Sequence, residues 1–289
     1  MEFNICIVGL GYVGLPLLLK LSRFFKVIGY DNDKKKIRFI KKKYKKIKIF
    51  NNLESIKNSN IYIIAVPTPI YKNKKPNLTL LKNATVEIAK FLNKKDIIIY
   101  ESTVYPGATE EICVPILENI SQLQFNKDFF VGYSPERINP GDKKHTIENT
   151  VKIISASNKN TLKILNRIYS AIVFAGIHKV SNIKTAESVK IIENVQRDIN
   201  IGIINEFSKI FRALNLDTYE QWKDNDQFVE DVMRFLDNVM TDFINRAPDE
   251  FAHAKYSAMR ERSVGLGVMG LHSFFQQKNI PFGSVMSKV

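Results

Sequence analysis

The stretch Ile5-Cys6-Ile7-Val8-Gly9-Leu10-Gly11-Tyr12-Val13-Gly14-Leu15-Pro16 decides how this chain is read. An apolar run of strand character, Phe3 to Val8, leads into Gly9. Gly11 and Gly14 complete a G-x-G-x-x-G pattern, and Leu15 to Phe25 continues with apolar residues at helical spacing. In such a unit the first glycine permits a tight turn. The second lets the backbone approach a pyrophosphate, and the third lets the helix pack close to the strand. The helix N-terminus then presents unspent N–H groups and the positive end of its dipole to the phosphates. A second strand, Lys26 to Tyr30, ends at Asp31, twenty residues after Gly11. An acidic side chain there accepts hydrogen bonds from a ribose hydroxyl and repels a 2′-phosphate, so the expected cofactor is NAD rather than NADP.

Outward from that start the chain alternates. Ile61 to Val66 reads as a buried strand ending in Pro67-Thr68-Pro69, and Leu78 to Leu92 as a helix. Asp96 to Glu101 reads as a strand running into Ser102-Thr103-Val104-Tyr105-Pro106-Gly107, followed by a helix from Ala108 to Leu117. Phe129 to Gly132 reads as a strand leading into Tyr133-Ser134-Pro135-Glu136-Arg137-Ile138-Asn139-Pro140-Gly141-Asp142. Strand Val151 to Ser155, helix Lys159 to Ser170 and strand Ile172 to Ala175 follow. Alternating strands and helices predict an α/β fold, a Rossmann-like doubly wound parallel sheet, over residues 1–180. Ligands of such sheets sit at the carboxyl ends of the strands, and the polar motifs at 67–69, 102–107 and 133–137 all fall there.

From Asn182 to Leu214, apolar residues recur every three or four positions, which predicts one long helix. Residues 181–219 are therefore taken as a connecting or dimerisation helix. Past residue 220 the composition changes. Residues 1–219 hold 35 isoleucines and a net charge of +16; residues 220–289 hold two isoleucines, five of the six methionines, the only tryptophan and a net charge of −2. Such a change suggests a join between two sources, with 220–289 a mainly helical tail. Val229, Val232, Met233, Leu236, Met240 and Phe243 mark an amphipathic helix in it. A second glycine pattern, Gly265-Leu266-Gly267-Val268-Met269-Gly270, follows charged residues rather than a strand. Too few residues remain after it for a helix, a strand and an acid, so it is read as a glycine-rich helix start packed in a core.

The bulk numbers narrow the classes. A length of 289 residues accommodates more than one domain. No stretch is long and apolar enough to span a membrane, and a first strand beginning at residue 3 leaves no room for a signal peptide. Cys6 and Cys113, the only cysteines, read as buried small residues. No disulfide framework or Cys/His metal spacing is present, which fits a cytoplasmic protein without a metal. The net charge of +14 raises nucleic acid as a partner, and residues 34–48 alone hold ten Lys or Arg. No recognised nucleic-acid motif accompanies that run, so it is read as a solvated helix face.

Taken together, GLGYVGLP, VPTP, ESTVYPGATEE and GYSPERINPGD resemble the UDP-sugar dehydrogenases, and in particular the branch acting on UDP-N-acetylhexosamines. The resemblance implies NAD-dependent oxidation of a sugar C6 hydroxyl to a carboxylate, for surface polysaccharide. It implies that Gly9, Gly11, Tyr12, Val13, Gly14 and Asp31 hold NAD, with Pro67, Thr68 and Thr103 lining it. Thr103 would stand beside the reacting centre, and Glu136 would act as base or water-positioner. Lys190 and Asn194 match the family's K-x-x-x-N pair; at i and i+4 they share a helix face and could stabilise an oxyanion. Family members dimerise through the long helix and trap an aldehyde on a cysteine. That cysteine lies after the long helix, and this chain has none beyond Cys113. The resemblance therefore also implies a defective enzyme, with a non-catalytic NAD-binding module as the alternative. Residues from about 222 to 289 resemble an internal piece of a class I ribonucleotide reductase large subunit.

Overall fold

In the computed structural model the described residues are 2–136 and 146–213, with scattered single residues between 230 and 259. The chain divides into two compact units, residues 1–196 and 197–289. The first unit carries an eight-stranded sheet. In chain order its elements are β1 (Asn4–Val8), α1 (Gly14–Leu21), β2 (Lys26–Tyr30), α2 (Lys34–Lys43) and β3 (Lys48–Phe50). Then come β4 (Ile61–Ile64), α3 (Thr79–Ala89), β5 (Ile97–Tyr100), α4 (Val114–Ser121), β6 (Phe130–Tyr133), β7 (Lys152–Ala156), α5 (Lys159–Ser170) and β8 (Ile177–Lys179). Helix α6 (Ile183–Ala213) starts in the first unit and continues into the second. In the second unit, Glu230 and Arg234 form an ion pair at i, i+4, as do Asp242 and Arg246.

The strand order is β3-β2-β1-β4-β5-β6-β7-β8. Every pairing is parallel except β6 with β7, which is antiparallel. The order reverses at β1, whose neighbours are β2 on one side and β4 on the other, and this reversal opens a crevice at the carboxyl ends.

The central strands β4, β5 and β6 carry no charged residues because both faces are covered. Ile61 and Ile63 of β4 enter the core on one face with Ile5, Ile7 and the α1 leucines. Tyr62 and Ile64 enter the core on the other face with Cys6, Val8 and the α3 residues Leu81 and Ile88. Strand β5 repeats the alternation, with Ile97 and Ile99 on the first face and Ile98 and Tyr100 on the second. Burying each such side chain contributes about 1.5–3 kcal/mol. Both cysteines are in the core, as expected.

Two sequence expectations are corrected. The Rossmann-like doubly wound sheet is as expected, but it is not parallel throughout, since β7 runs against β6. The strand expected at Ile172–Ala175 is absent, and the edge strand is β8. Ile172 and Val173 both hydrogen-bond back to the Tyr169 carbonyl, winding up the end of α5, while their side chains are buried beneath it. The extended path begins only after Gly176, at φ +105°. The basic run 34–48 is also more than a helix: Ile37 and Ile40 of α2 and Ile49 of β3 are buried, leaving the lysines outside. The amphipathic pattern Val229–Phe243, the second glycine pattern at 265–270 and the motif residues 137–142 lie outside the described residues.

Candidate active site

The crevice beside β1 is a cleft of about 530 Å³. Its floor is the turn between β1 and α1. Gly9 adopts φ +92°, a left-handed conformation that favours glycine. A Cβ on Gly14 would lie 1.9 Å from the Gly9 carbonyl oxygen, so only glycine lets α1 start this close to the strand. A Cβ on Gly11 would meet no atom within 4 Å, because Gly11 faces the cleft. No side chain caps α1 and its first turn holds no acidic residue, so the positive end of its dipole is open to an anion, although the Leu15 N–H already bonds the Gly11 carbonyl and Pro16 has none to offer.

The Asp31 carboxylate, 5% exposed, closes one end. Its Oδ2 accepts the Leu10 N–H at 2.9 Å and the Lys36 ammonium at 2.8 Å, and its Oδ1 accepts the Asp33 N–H at 2.9 Å. Asp33 caps α2 by accepting the Lys35 and Lys36 N–H groups, which puts Lys36 in the first turn facing Asp31. Beside them lies the Tyr30 hydroxyl, which burial and the nearby Glu87 carboxylate push up to about 12. An uncapped helix start, an open glycine cradle and a fixed carboxylate one strand away fit the pyrophosphate and ribose of NAD.

The other end is built by the loops after β4, β5 and β6. Thr68 donates its hydroxyl to the Thr103 carbonyl at 2.6 Å, and Ser102 donates its hydroxyl to the Val66 carbonyl at 2.6 Å. Tyr133 donates to the Ser102 carbonyl at 3.1 Å. The loops carrying Pro67, Thr68 and Thr103 are thereby fixed to one another. Glu101 and Glu136 line the wall, both buried. Between them lies the ammonium of Lys152, 3.1 Å from Glu101 Oε2 and 3.5 Å from Glu136 Oε2. Burial would pull the Lys152 ammonium down, but the two carboxylates hold it above its usual range. Burial pushes the Glu101 carboxyl up, and Glu136 adds to this, against the pull of Lys152.

Gly9, Gly11, Tyr12, Val13, Asp31, Pro67, Thr68, Thr103 and Glu136 all line this cleft. Gly14 lies just beneath it. Lys190 and Asn194 are on α6, half-buried and exposed respectively, and neither lines the cleft. The sequence reading missed Lys36, Glu87, Glu101 and Lys152. A lysine five residues after the strand-end acid was a readable signal for Lys36. Nothing local marks Lys152. Among the described residues no group of His, Cys, Asp and Glu is placed to hold a metal, and no helix is long and apolar enough to cross a membrane.

Comparison with known proteins agrees with this geometry. Residues 3–52 and 42–173 match the NAD-binding domain of the UDP-glucose/GDP-mannose dehydrogenase family. The Staphylococcus aureus protein CapL is 48% identical over 236 residues, covering 77% of this chain and 56% of that protein. The UDP-N-acetyl-D-glucosamine 6-dehydrogenase of Salmonella typhi is 47% identical over 231 residues, covering 75% and 54%. The UDP-D-ManNAc dehydrogenase structure from Pyrococcus horikoshii matches with a TM-score of 0.66 at 32% identity, covering 71% of this chain and 53% of that one. The chain thus spans about half the length of the curated relatives it matches. Residues 198–289 match the barrel domain of ribonucleotide reductase, a match that begins inside α6, before the change in composition.

Proposed function

Because the chain belongs to the UDP-glucose/GDP-mannose dehydrogenase family, we propose that its cleft serves NAD-dependent oxidation of the C6 hydroxyl of a UDP-N-acetylhexosamine. The observation that carries this is the continuity of one cleft from the Gly9–Gly11 cradle and Asp31 to Thr103 and Glu136. The substrate class is supported by the named relatives at 47% and 48% identity.

When bound, NAD accepts a hydride from the substrate carbon. The chain's residues bind, orient and move protons. Gly9 and Gly11 with the α1 N-terminus receive the pyrophosphate, and Asp31, steadied by Lys36, receives the adenosine ribose. Thr103, held by Thr68, stands where the nicotinamide end meets substrate. Glu136 accepts a proton there or orients water. Lys190 and Asn194 are assigned to oxyanion stabilisation by motif position, and a contribution from α6 requires substrate to extend beyond the cleft between Gly11 and Glu136.

A second reading is favoured by a specific observation. Cys6 and Cys113 are both buried in the core, burial pushes the Cys113 thiol up to about 11, and neither lines the cleft. Neither cysteine of this chain is placed to trap an aldehyde in the cleft, which favours the reading of an NAD-binding module. Calorimetric titration with NAD tests the binding that both readings share. NADH formation with UDP-N-acetylhexosamines separates them: sustained formation of uronate supports the enzyme, and binding without turnover supports the module.

A further inference from the structure

Glu187 is a buried carboxylate on α6 that the proposed reaction does not use. One of its oxygens accepts the Gly107 N–H and the other the Thr109 N–H, 80 and 78 residues away in the chain. A side chain that served packing alone would be apolar, because a buried charge must be offset by its bonds. This one is matched to two converging N–H groups.

The loop it holds is the one that carries Thr103. The near end of that loop is tied to neighbouring strand ends by the hydroxyls of Thr68, Ser102 and Tyr133. The far end is irregular. Gly107 turns with φ +94°, and the chain then winds a π-helical turn, Thr109–Cys113, before α4. Turns of this kind recur at functional sites. Two links join this end to α6. The ion pair between Lys184 and Glu111, at 2.7 Å, is exposed on both partners and contributes little. Glu187 supplies the buried link. Between the two held ends Thr103 stays exposed at the cleft, next to the buried Val104.

The same link fixes α6 about its own axis. An α-helix turns about 100° per residue, so Lys190 lies about 60° and Asn194 about 20° from Glu187 around that axis. They stand about 4.5 Å and 10.5 Å further along it. Ile183 and Ala186 share that side and are buried. The face of α6 that docks on the loop is therefore the face that carries Lys190 and Asn194.

We propose that Glu187 is a positioning residue for the substrate end of the cleft: it holds the Thr103 loop and the Lys190–Asn194 face of α6 in one fixed relation. This rests on the reading of the cleft as an NAD site whose nicotinamide end meets substrate at Thr103. Glu187 acts only through the two backbone N–H groups.

The test uses the full chain and two nucleotides. NAD spans the cleft, whereas ADP carries only the adenosine and diphosphate that occupy the Asp31 and Gly11 end. Glu187→Gln keeps the size and one acceptor but turns an NH2 group toward the second N–H. Calorimetry is expected to show NAD weakened about fivefold or more, with ADP affinity unchanged. A purely structural role would weaken both nucleotides alike or neither, so equal losses, or none, overturn the proposal. Amide hydrogen exchange reads the link itself. In wild type, NAD is expected to slow exchange at Gly107 and Thr109, and ADP is not. Amides indifferent to NAD overturn the proposal, and this reading decides if Glu187→Gln does not fold. In the folded variant, Ala108, Glu111 and residues 190–194 are expected to exchange faster together, and acceleration confined to the loop overturns the proposal. A wild-type chain that binds neither nucleotide removes the functional reading and this proposal with it. NAD bound, but weakened no more than ADP, removes this proposal alone.

Discussion

The carboxylate of Glu187, on the long helix, accepts the backbone N–H of Thr109 at 2.9 Å, and its other oxygen accepts that of Gly107 at 2.5 Å. Through this bridge α6 is fastened to the loop that follows Thr103. The two N–H groups begin the helical segment that runs on as α4, so the carboxylate also faces the positive end of a dipole. Glu187 is fully buried, and burial pushes its carboxyl up despite these donors. Glu187→Ala leaves two buried N–H groups without a partner, at about 1–3 kcal/mol each. Urea unfolding is expected to register a loss of about 2–5 kcal/mol, with Glu187→Gln recovering part of it. An alanine variant as stable as wild type would show that the bridge is replaced by water.

Gly14 and Gly11 should fail in different ways. A Cβ on Gly14 meets the Gly9 carbonyl oxygen at 1.9 Å, so Gly14→Ala must push α1 off β1. A stability loss of about 3 kcal/mol or more is expected, with NAD binding lost alongside. A Cβ on Gly11 meets nothing in the protein. Gly11→Ala is expected to unfold at nearly the wild-type temperature yet bind NAD at least tenfold more weakly, a difference of about 1.4 kcal/mol. Thermal unfolding paired with calorimetry reads both, and equal NAD affinity in Gly11→Ala would place the pyrophosphate elsewhere.

Asp31 and Lys36 form the adenosine end of the cleft. Asp31→Ala removes the acceptor offered to ribose and strands the Leu10 N–H. We expect at least a tenfold rise in the NAD dissociation constant, about 1.4 kcal/mol. Lys36→Met leaves the Leu10 and Asp33 bonds in place and should weaken NAD less than Asp31→Ala does. The reverse order in calorimetry would make Lys36 the principal ribose contact.

What the sequence made legible was local. The runs Ile61-Tyr62-Ile63-Ile64 and Ile97-Ile98-Ile99-Tyr100 can only be strands covered on both faces, and the first fifteen residues carry the cofactor turn in full. Nine of the expected cofactor and catalytic positions share one cleft because each follows a strand end, and strand ends in a parallel sheet converge. Lys152 was not legible, because its neighbours depend on β7 reversing direction, and no local pattern around Lys152 announces that. Glu101 and Glu187 were hidden for the same reason: their partners lie 51 and 78 residues away. The apolar run Ile172–Ala175 misled because a helix's last buried turn and a short strand have the same composition. Lys190 and Asn194 carry a family spacing, but spacing alone cannot bring α6 to the cleft.

Asp96 gives the chain a pH signature. It precedes β5, is 4% exposed, and accepts the Asn93 N–H at 2.8 Å. Burial pushes its carboxyl from an ordinary 3.8 up to about 6, with the Asn93 hydrogen bond opposing. Between about pH 4 and pH 6 the folded chain therefore keeps a proton that the unfolded chain has lost. When the folded state binds more protons, stability falls as pH rises, so Asp96 destabilises progressively across that window and fully above it. Asp96→Asn keeps an acceptor for the Asn93 N–H and has nothing to ionise. Its stability relative to wild type should be level near pH 3.5 and gain on the order of 1–3 kcal/mol by pH 7. Glu101 and Glu187, whose carboxyls burial also pushes up, act alike in both proteins and cancel in the difference. Urea unfolding at several pH values checks it, and parallel stability curves for the two proteins would mean that the Asp96 carboxyl is ionised at no cost in the folded chain.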